Sequence, residues 1–196
     1  MKKWTTLIII AVILIIGGIT LSSSYNSLVK AEESINSVWG NVESAYQRRA
    51  DLIPNLVNTV KGQANFEQET LTQVIEARAK ATQTHIDPSN ATEEQLAQFQ
   101  QAQQGLNSAL SRLLVSVERY PELKAHEGFL NLQAQIEGTE NRINVERNNF
   151  NNAVKEYNQK VRQVPTKFVA LLFGFEAKPQ FKAEAGSEKA PEVNFN

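Results

Sequence analysis

Apolar positions recur in steps of three and four along most of this chain. Leu28, Ala31, Ile35, Val38, Val42 and Ala45 form a first stripe. Ile53, Val57, Val60, Ala64, Leu71 and Val74 form a second, and Leu96, Phe99, Leu106, Leu110, Leu113 and Val117 a third with a gap near Gln103. A fourth runs through Phe129, Leu132, Ile136, Ile143, Phe150, Val154, Tyr157 and Val161. This is the period of one buried helical face, and no stretch alternates long enough to read as a strand. The pattern predicts an all-α protein, an antiparallel four-helix bundle of long helices. The first stripe also continues through Leu52 and Leu56, so an alternative has three long helices, the first kinked near Pro54.

The punctuation agrees. Prolines at 54, 88, 121 and 165 bound long proline-free stretches, and proline belongs in the first turn of a helix rather than its interior. Asp51 is placed to cap a helix with Pro54 in its first turn, where a missing N–H costs nothing. Thr92-Glu93-Glu94-Gln95 has the form of a capping box. Tyr120-Pro121 ends one helix and starts the next.

The N-terminus has a different pattern. After Lys3 no charge appears before Lys30, and Leu7 to Ile16 is unbroken apolar sequence. About 20 helical residues cross a hydrocarbon core of ~30 Å. Residues 1–23 are therefore expected to be a transmembrane anchor, with residues 4–23 in the bilayer and Trp4 at an interface. Cleavage as a signal peptide is the alternative, but no A-x-A-like site follows. Lys2 and Lys3 favour a cytoplasmic N-terminus. No proline precedes Asp51, so the anchor and the first bundle helix can form one rod of ~70 Å. Gly18 and Ser22 make a small-xxx-small pair that can join membrane helices, so a homo-oligomer is open.

At the other end, Phe168 to Phe175 is apolar but too short to span. It is expected to cap the end of the bundle, with an interfacial membrane contact as the lesser alternative. Residues 24–177 are thus one helical domain. Residues 178–196 are polar, with Pro179, Gly186 and Pro191, and read as a disordered tail.

Composition narrows the chemistry. The 196 residues carry a net charge of −1, no cysteine and two histidines, His85 and His126. A near-neutral chain lacks the basic face of a nucleic-acid binder. The absent cysteines exclude disulfides, thiolate metal sites and thiol nucleophiles. Di-iron bundles need Glu-x-x-His on two helices, whereas Thr82 and Leu123 stand three residues before the histidines. No phosphate loop, zinc helix or nucleophile elbow is present. No catalytic, cofactor or metal residue is assigned, and the chain is expected not to be an enzyme. A carboxylate pair formed between helices remains the enzymatic alternative.

The informative residues are charges within the apolar stripes. Arg49 continues the first, Glu67 and Arg78 the second, Glu140 and Arg147 the fourth. Charge at core-facing positions is costly unless paired, so these residues are expected to form polar layers that fix helix register. The alternative keeps their charges in water at the stripe edge. An echo of aromatic-Asn pairs at Tyr25-Asn26, Phe150-Asn151 and Tyr157-Asn158 suggests a shared packing role for the amide.

Several of these segments stand together. They are Tyr25-Asn26-Ser27-Leu28-Val29, Trp39, Arg48-Arg49, Asp51-Leu52-Ile53-Pro54-Asn55-Leu56-Val57, Tyr120-Pro121-Glu122-Leu123-Lys124, Thr139-Glu140-Asn141-Arg142-Ile143, Arg147 and Tyr157-Asn158. Over roughly residues 5–180 the chain resembles the LemA family of bacterial single-pass membrane proteins. That resemblance implies an antiparallel four-helix bundle and no established catalysis. It marks Arg49, Asp51, Pro54, Asn55, Tyr120, Pro121, Glu140, Asn141, Arg147, Tyr157 and Asn158 as structural or interaction candidates, beside Glu67 and Arg78 from the stripes. The expected role is a scaffold or adaptor in the bacterial cell membrane. Its partners would be the bilayer and other membrane or envelope proteins. A ligand- or peptide-binding sensor is the alternative.

Overall fold

A computed structural model describes residues 2–62 and 67–182. Within them the chain is all-helical: α1 (Lys2–Lys61), α2 (Gln68–Gln83), α3 (Glu93–Val117), α4 (Pro121–Lys124), α5 (Glu127–Arg162) and α6 (Thr166–Phe173).

The first helix is one rod of 60 residues, about 90 Å long. Residues 3–23 are exposed, and Leu7 to Ile16 point outward all round. Among the described residues it is the one helix long and apolar enough to cross a membrane. From Leu28 onward one face of α1 turns inward, with Leu28, Ile35, Val42, Ile53, Leu56 and Val60 buried.

The expected helix start at Asp51 does not exist. Asp51 and Pro54 lie inside α1, and the break comes after Lys61 instead. The second stripe is therefore divided, with Ile53, Val57 and Val60 on α1 and Leu71 and Val74 on α2; Ala64 lies outside the described residues. Proline inside a helix leaves the carbonyl four residues back without its donor. Here that carbonyl is Ala50, and the Arg78 Nε on α2 donates to it at 2.7 Å. Burial of Ala50, Ile53 and Val57 on the neighbouring turns holds the helix together through the proline.

Other boundaries follow local chemistry. The Gln95 N–H donates to the Thr92 hydroxyl and the Thr92 N–H to the Gln95 side chain, at 3.2 and 3.0 Å. This is the expected capping box. Pro121 opens only the four-residue α4, and α5 starts afresh at Glu127. At the end of α6, Gly174 takes φ +76°, and the Phe175 N–H returns to the Ala170 carbonyl at 2.9 Å. That left-handed turn needs glycine.

α1 and α5 run antiparallel, with Arg49 meeting Glu140 and Ser27 meeting Lys160. The interior divides into two clusters. The anchor-proximal one holds Leu28, Ile35, Trp39, Tyr46, Phe99, Phe150, Val154 and Tyr157. The distal one holds Ile53, Leu56, Val60, Leu71, Val74, Leu106, Leu113 and Phe129. On α1 the boundary falls between Tyr46 and Ile53, on α3 between Phe99 and Leu106, and on α5 between Ile136 and Ile143.

Candidate functional site

One buried charged residue occupies that boundary on α1. Arg49 is 1% exposed. Its Nη1 donates to Glu140 Oε2 at 2.6 Å and to Asn107 Oδ1 at 2.9 Å, and its Nη2 donates to Gln103 Oε1 at 2.7 Å. The set is closed by its own partners. Asn107 Nδ2 donates to Glu140 Oε1 at 3.1 Å, and Gln103 Nε2 donates to the Ala81 carbonyl of α2 at 3.1 Å. Tyr46 lies one turn back, with its ring centroid 5.2 Å from the Arg49 guanidinium carbon. Four helices thus contribute to one polar layer. A buried guanidinium survives because its charge is paired and its donors are used; only Nε lacks a partner.

The expected polar layer therefore contains Arg49 and Glu140, joined by Gln103 and Asn107. The interruption of the third stripe at Gln103 was the signal for one; Asn107 follows it one turn later. The other stripe charges lie elsewhere. Glu67 is exposed at the start of α2 and pairs with Arg119 at 2.6 Å. Arg78 serves the Ala50 carbonyl. Arg147 is half-buried outside the core, its guanidinium carbon 4.9 Å from the Phe181 ring centroid. Long stems let both arginines cover apolar surface from the stripe edge.

The second site is on α5. Residues 178–182 do not begin a free tail but lie along the helix in extended form; residues 183–196 are outside the described residues. The Asn158 amide clips the backbone of Lys178 twice, Nδ2 to the carbonyl at 2.9 Å and Oδ1 from the N–H at 2.8 Å. Asn151 does the same to Phe181, at 3.0 and 2.8 Å. The geometry is a match of two repeats. Seven helical residues rise about 10 Å, as do three extended residues running the other way. This is the amide role suggested by the aromatic-Asn echo, realised at Asn151 and Asn158, while Asn26 is exposed on α1.

The strap also fills pockets. Phe181 is 6% exposed and meets Trp39, Phe150 and Phe99 at ring-centroid distances of 6.0, 5.4 and 6.4 Å. The Trp39 Nε1 is buried among these groups without a hydrogen-bond partner. Lys178 Nζ pairs with Glu32 at 2.8 Å and lies 5.3 Å from the Tyr157 ring centroid. Lys182 pairs with Glu93, which lowers the Glu93 carboxyl below its ordinary range. Burial, with Glu32 and Glu176 nearby, pushes the Tyr157 hydroxyl up to about 12.

A third feature is an open cleft of about 730 Å³ beside the polar layer, lined by Glu43, Arg48, Asp51, Asn55, His85 and Gln103 among others. Asp51 accepts from Gln47 at 2.7 Å, and Asn55 is exposed. Among the described residues no three His, Asp or Glu side chains gather around one point as a metal needs. Tyr120 is half-buried against the distal cluster, whereas Pro121 and Asn141 are exposed. Sequence reasoning also missed Glu146, which is 3% exposed and held by Arg142 at 2.7 Å and Asn149 at 3.0 Å.

Comparison with known proteins places this architecture. The model of the LemA family matches residues 38–195. The chain belongs to the LemA family. Magnetosome proteins MamQ 1 and MamQ 2 of Paramagnetospirillum magneticum are each 24% identical over 200 residues, covering 93% of this chain and 74% of theirs. Protein LemA of Metamycoplasma hominis is 25% identical over 145 residues, covering 74% of this chain and 63% of its own. The LemA-family match includes the polar layer, both asparagine clips and the strap they hold.

Proposed function

We propose that this LemA-family protein is a membrane-tethered scaffold in the bacterial envelope, and not an enzyme. Residues 4–23 of α1 span the cell membrane with the N-terminus in the cytoplasm. The four long helices α1, α2, α3 and α5 form an antiparallel bundle beyond it. The observation that carries this reading is the continuity of α1 from Lys2 to Lys61. A helix without a hinge holds the bundle at a set distance and angle from the bilayer, and the Arg49 layer fixes the register of its faces. Such a body can present one face to other membrane or envelope proteins, or to a second copy through the anchor.

The test is site-specific photo-crosslinking of the full chain in its native membrane, from exposed positions round the bundle. A scaffold gives discrete adducts confined to one face, and a flexible Gly-Ser insertion after Ser24 abolishes them. Adducts unaffected by the insertion, or none from any face, would discard the tethered scaffold.

The asparagine clips favour a second reading, an extended-peptide binder. They grip main chain, which any sequence supplies, while the Phe181 and Glu32 positions select an aromatic and a cation three residues apart. A labelled peptide of residues 174–184, added to a chain carrying Phe181→Ala, tests it. Saturable binding that Asn151→Ala removes supports this reading, and no binding rejects it.

A further inference from the structure

We infer that α6 is a second membrane contact, an interfacial helix that lies in the headgroup and upper acyl region beside the transmembrane part of α1. The inference rests on α1 spanning the bilayer.

Three observations lead to it. First, α6 is apolar on both faces. Val169 and Ala170 are buried against the bundle, whereas Phe168, Leu171 and Leu172 are 65, 73 and 69% exposed. At about 100° per residue Phe168 and Leu171 point away from the bundle and Leu172 lies to one side of them. Val164, just before the helix, is exposed as well. A helix with apolar side chains on both its buried and its outward face fits an apolar surrounding on both sides, and a contiguous exposed apolar patch marks an interaction surface.

Second, its position is fixed relative to the anchor. Phe173 and Phe175 meet Tyr25 edge-on, at centroid distances of 4.9 and 5.7 Å. Tyr25 lies four residues, about 6 Å, beyond Leu21, the last residue of the apolar span. That depth is the headgroup layer, where tyrosine is favoured. The outward face of α6 thus stands where acyl chains begin. Water alone would leave three large side chains bare at the end of the molecule where lipid is nearest.

Third, the polar groups fit that placement. The exposed residues around the patch include Arg162 and Lys167, whose long stems can reach the phosphates while the apolar face goes deeper. Two attachment points, one across the bilayer and one in its surface, would stop the bundle from rotating about α1.

The chain has no cysteine, so single-cysteine spin labels report cleanly. Labels are placed at Leu172, at Ile13 inside the span, and at Val115, an exposed position on the distal cluster's side of α3. The full chain is reconstituted in phosphatidylglycerol–phosphatidylethanolamine vesicles, and collision with oxygen and with a nickel chelate is compared. The expected result is a several-fold higher oxygen-to-nickel ratio at Leu172 than at Val115, intermediate between Val115 and Ile13. A label at Phe168 should agree. If Ile13 reads deep and Leu172 reads like Val115, the interfacial helix is overturned while the anchor stands. If Ile13 also reads aqueous, the anchor fails and this inference with it. If Leu172 excludes both quenchers and shows spin–spin broadening, a second copy covers α6, which also overturns the lipid contact.

Discussion

The two halves of the bundle are closed in different ways. In the distal half four long helices meet, with Leu123 of α4 beside them, and among the described residues the interior is aliphatic apart from Phe129. In the proximal half α2 has already ended at Gln83, and its place is taken by the loop before α3 and by the strap. That interior is aromatic, with Trp39, Tyr46, Phe99, Phe150, Tyr157 and Phe181. Helices satisfy their own backbone, so a helix needs only an apolar stripe to join a core. An extended strap has free N–H and C=O groups and must find partners for them. Asn151 and Asn158 are those partners, and the large Phe181 ring compensates for the few side chains a strap can bury.

The comparison can be broken most severely at the layer between the halves. Arg49→Ala leaves Glu140, Gln103 and Asn107 without their common donor. The expected loss is about 3 kcal/mol, near the low end for breaking a buried pair because Glu140 is partly exposed, read by urea denaturation. Arg49→Met with Glu140→Leu should recover much of it. An Arg49→Ala chain as stable as the parent would show that the layer does not hold the halves together.

Within the proximal half, Phe181→Ala should cost about 2 kcal/mol. That is less than a central core phenylalanine because only the strap is released. Trp39 emission should shift to the red while the distal half keeps its hydrogen-exchange protection. Loss of protection in both halves would mean that they form one cooperative unit.

Asn158→Ala should remove about 1 kcal/mol and speed exchange of the Lys178 amide. Comparable exchange in parent and variant would show that the clip is dispensable. In the distal half, Glu67→Gln breaks only an exposed pair and should change stability by less than about 0.5 kcal/mol.

The least effect at neutral pH belongs to Tyr157→Phe. The folded-state hydroxyl, raised to about 12, favours its neutral form over that of the unfolded chain. The associated stability is complete below the ordinary value near 10 and is lost as pH rises towards 12. The parent should therefore lose more stability than Tyr157→Phe between pH 10 and 12. Parallel curves would show that the hydroxyl is not desolvated.

Much of the helical content was legible because burial of one face imposes a period that survives in sequence. The capping box at Thr92 was legible for a similar reason: its donors and acceptors are three residues apart. The helix through Pro54 was legible only as the alternative opened by the stripe through Leu52 and Leu56, because the group that makes it tolerable, Arg78, is 24 positions away in the chain. The polar layer was half legible. A charge within a stripe announces that it needs a partner, but whether the stripe edge or the core receives it depends on helix rotation. Arg49 went inward and Arg147 outward from equivalent expectations. Lys178 and Phe181 were read as tail because a strap has no helical period and borrows its hydrogen bonds from α5.

By itself, then, the sequence determined what is local: an apolar N-terminal span, helical periods, one capping box and a cysteine-free, histidine-poor chemistry. Tertiary structure decided where α1 ends, which charge is buried and what closes the proximal core. Those outcomes depend on groups 20 to 91 residues apart meeting at 2.6 to 2.9 Å. No local pattern encodes such a meeting, because each partner taken alone is an ordinary polar residue.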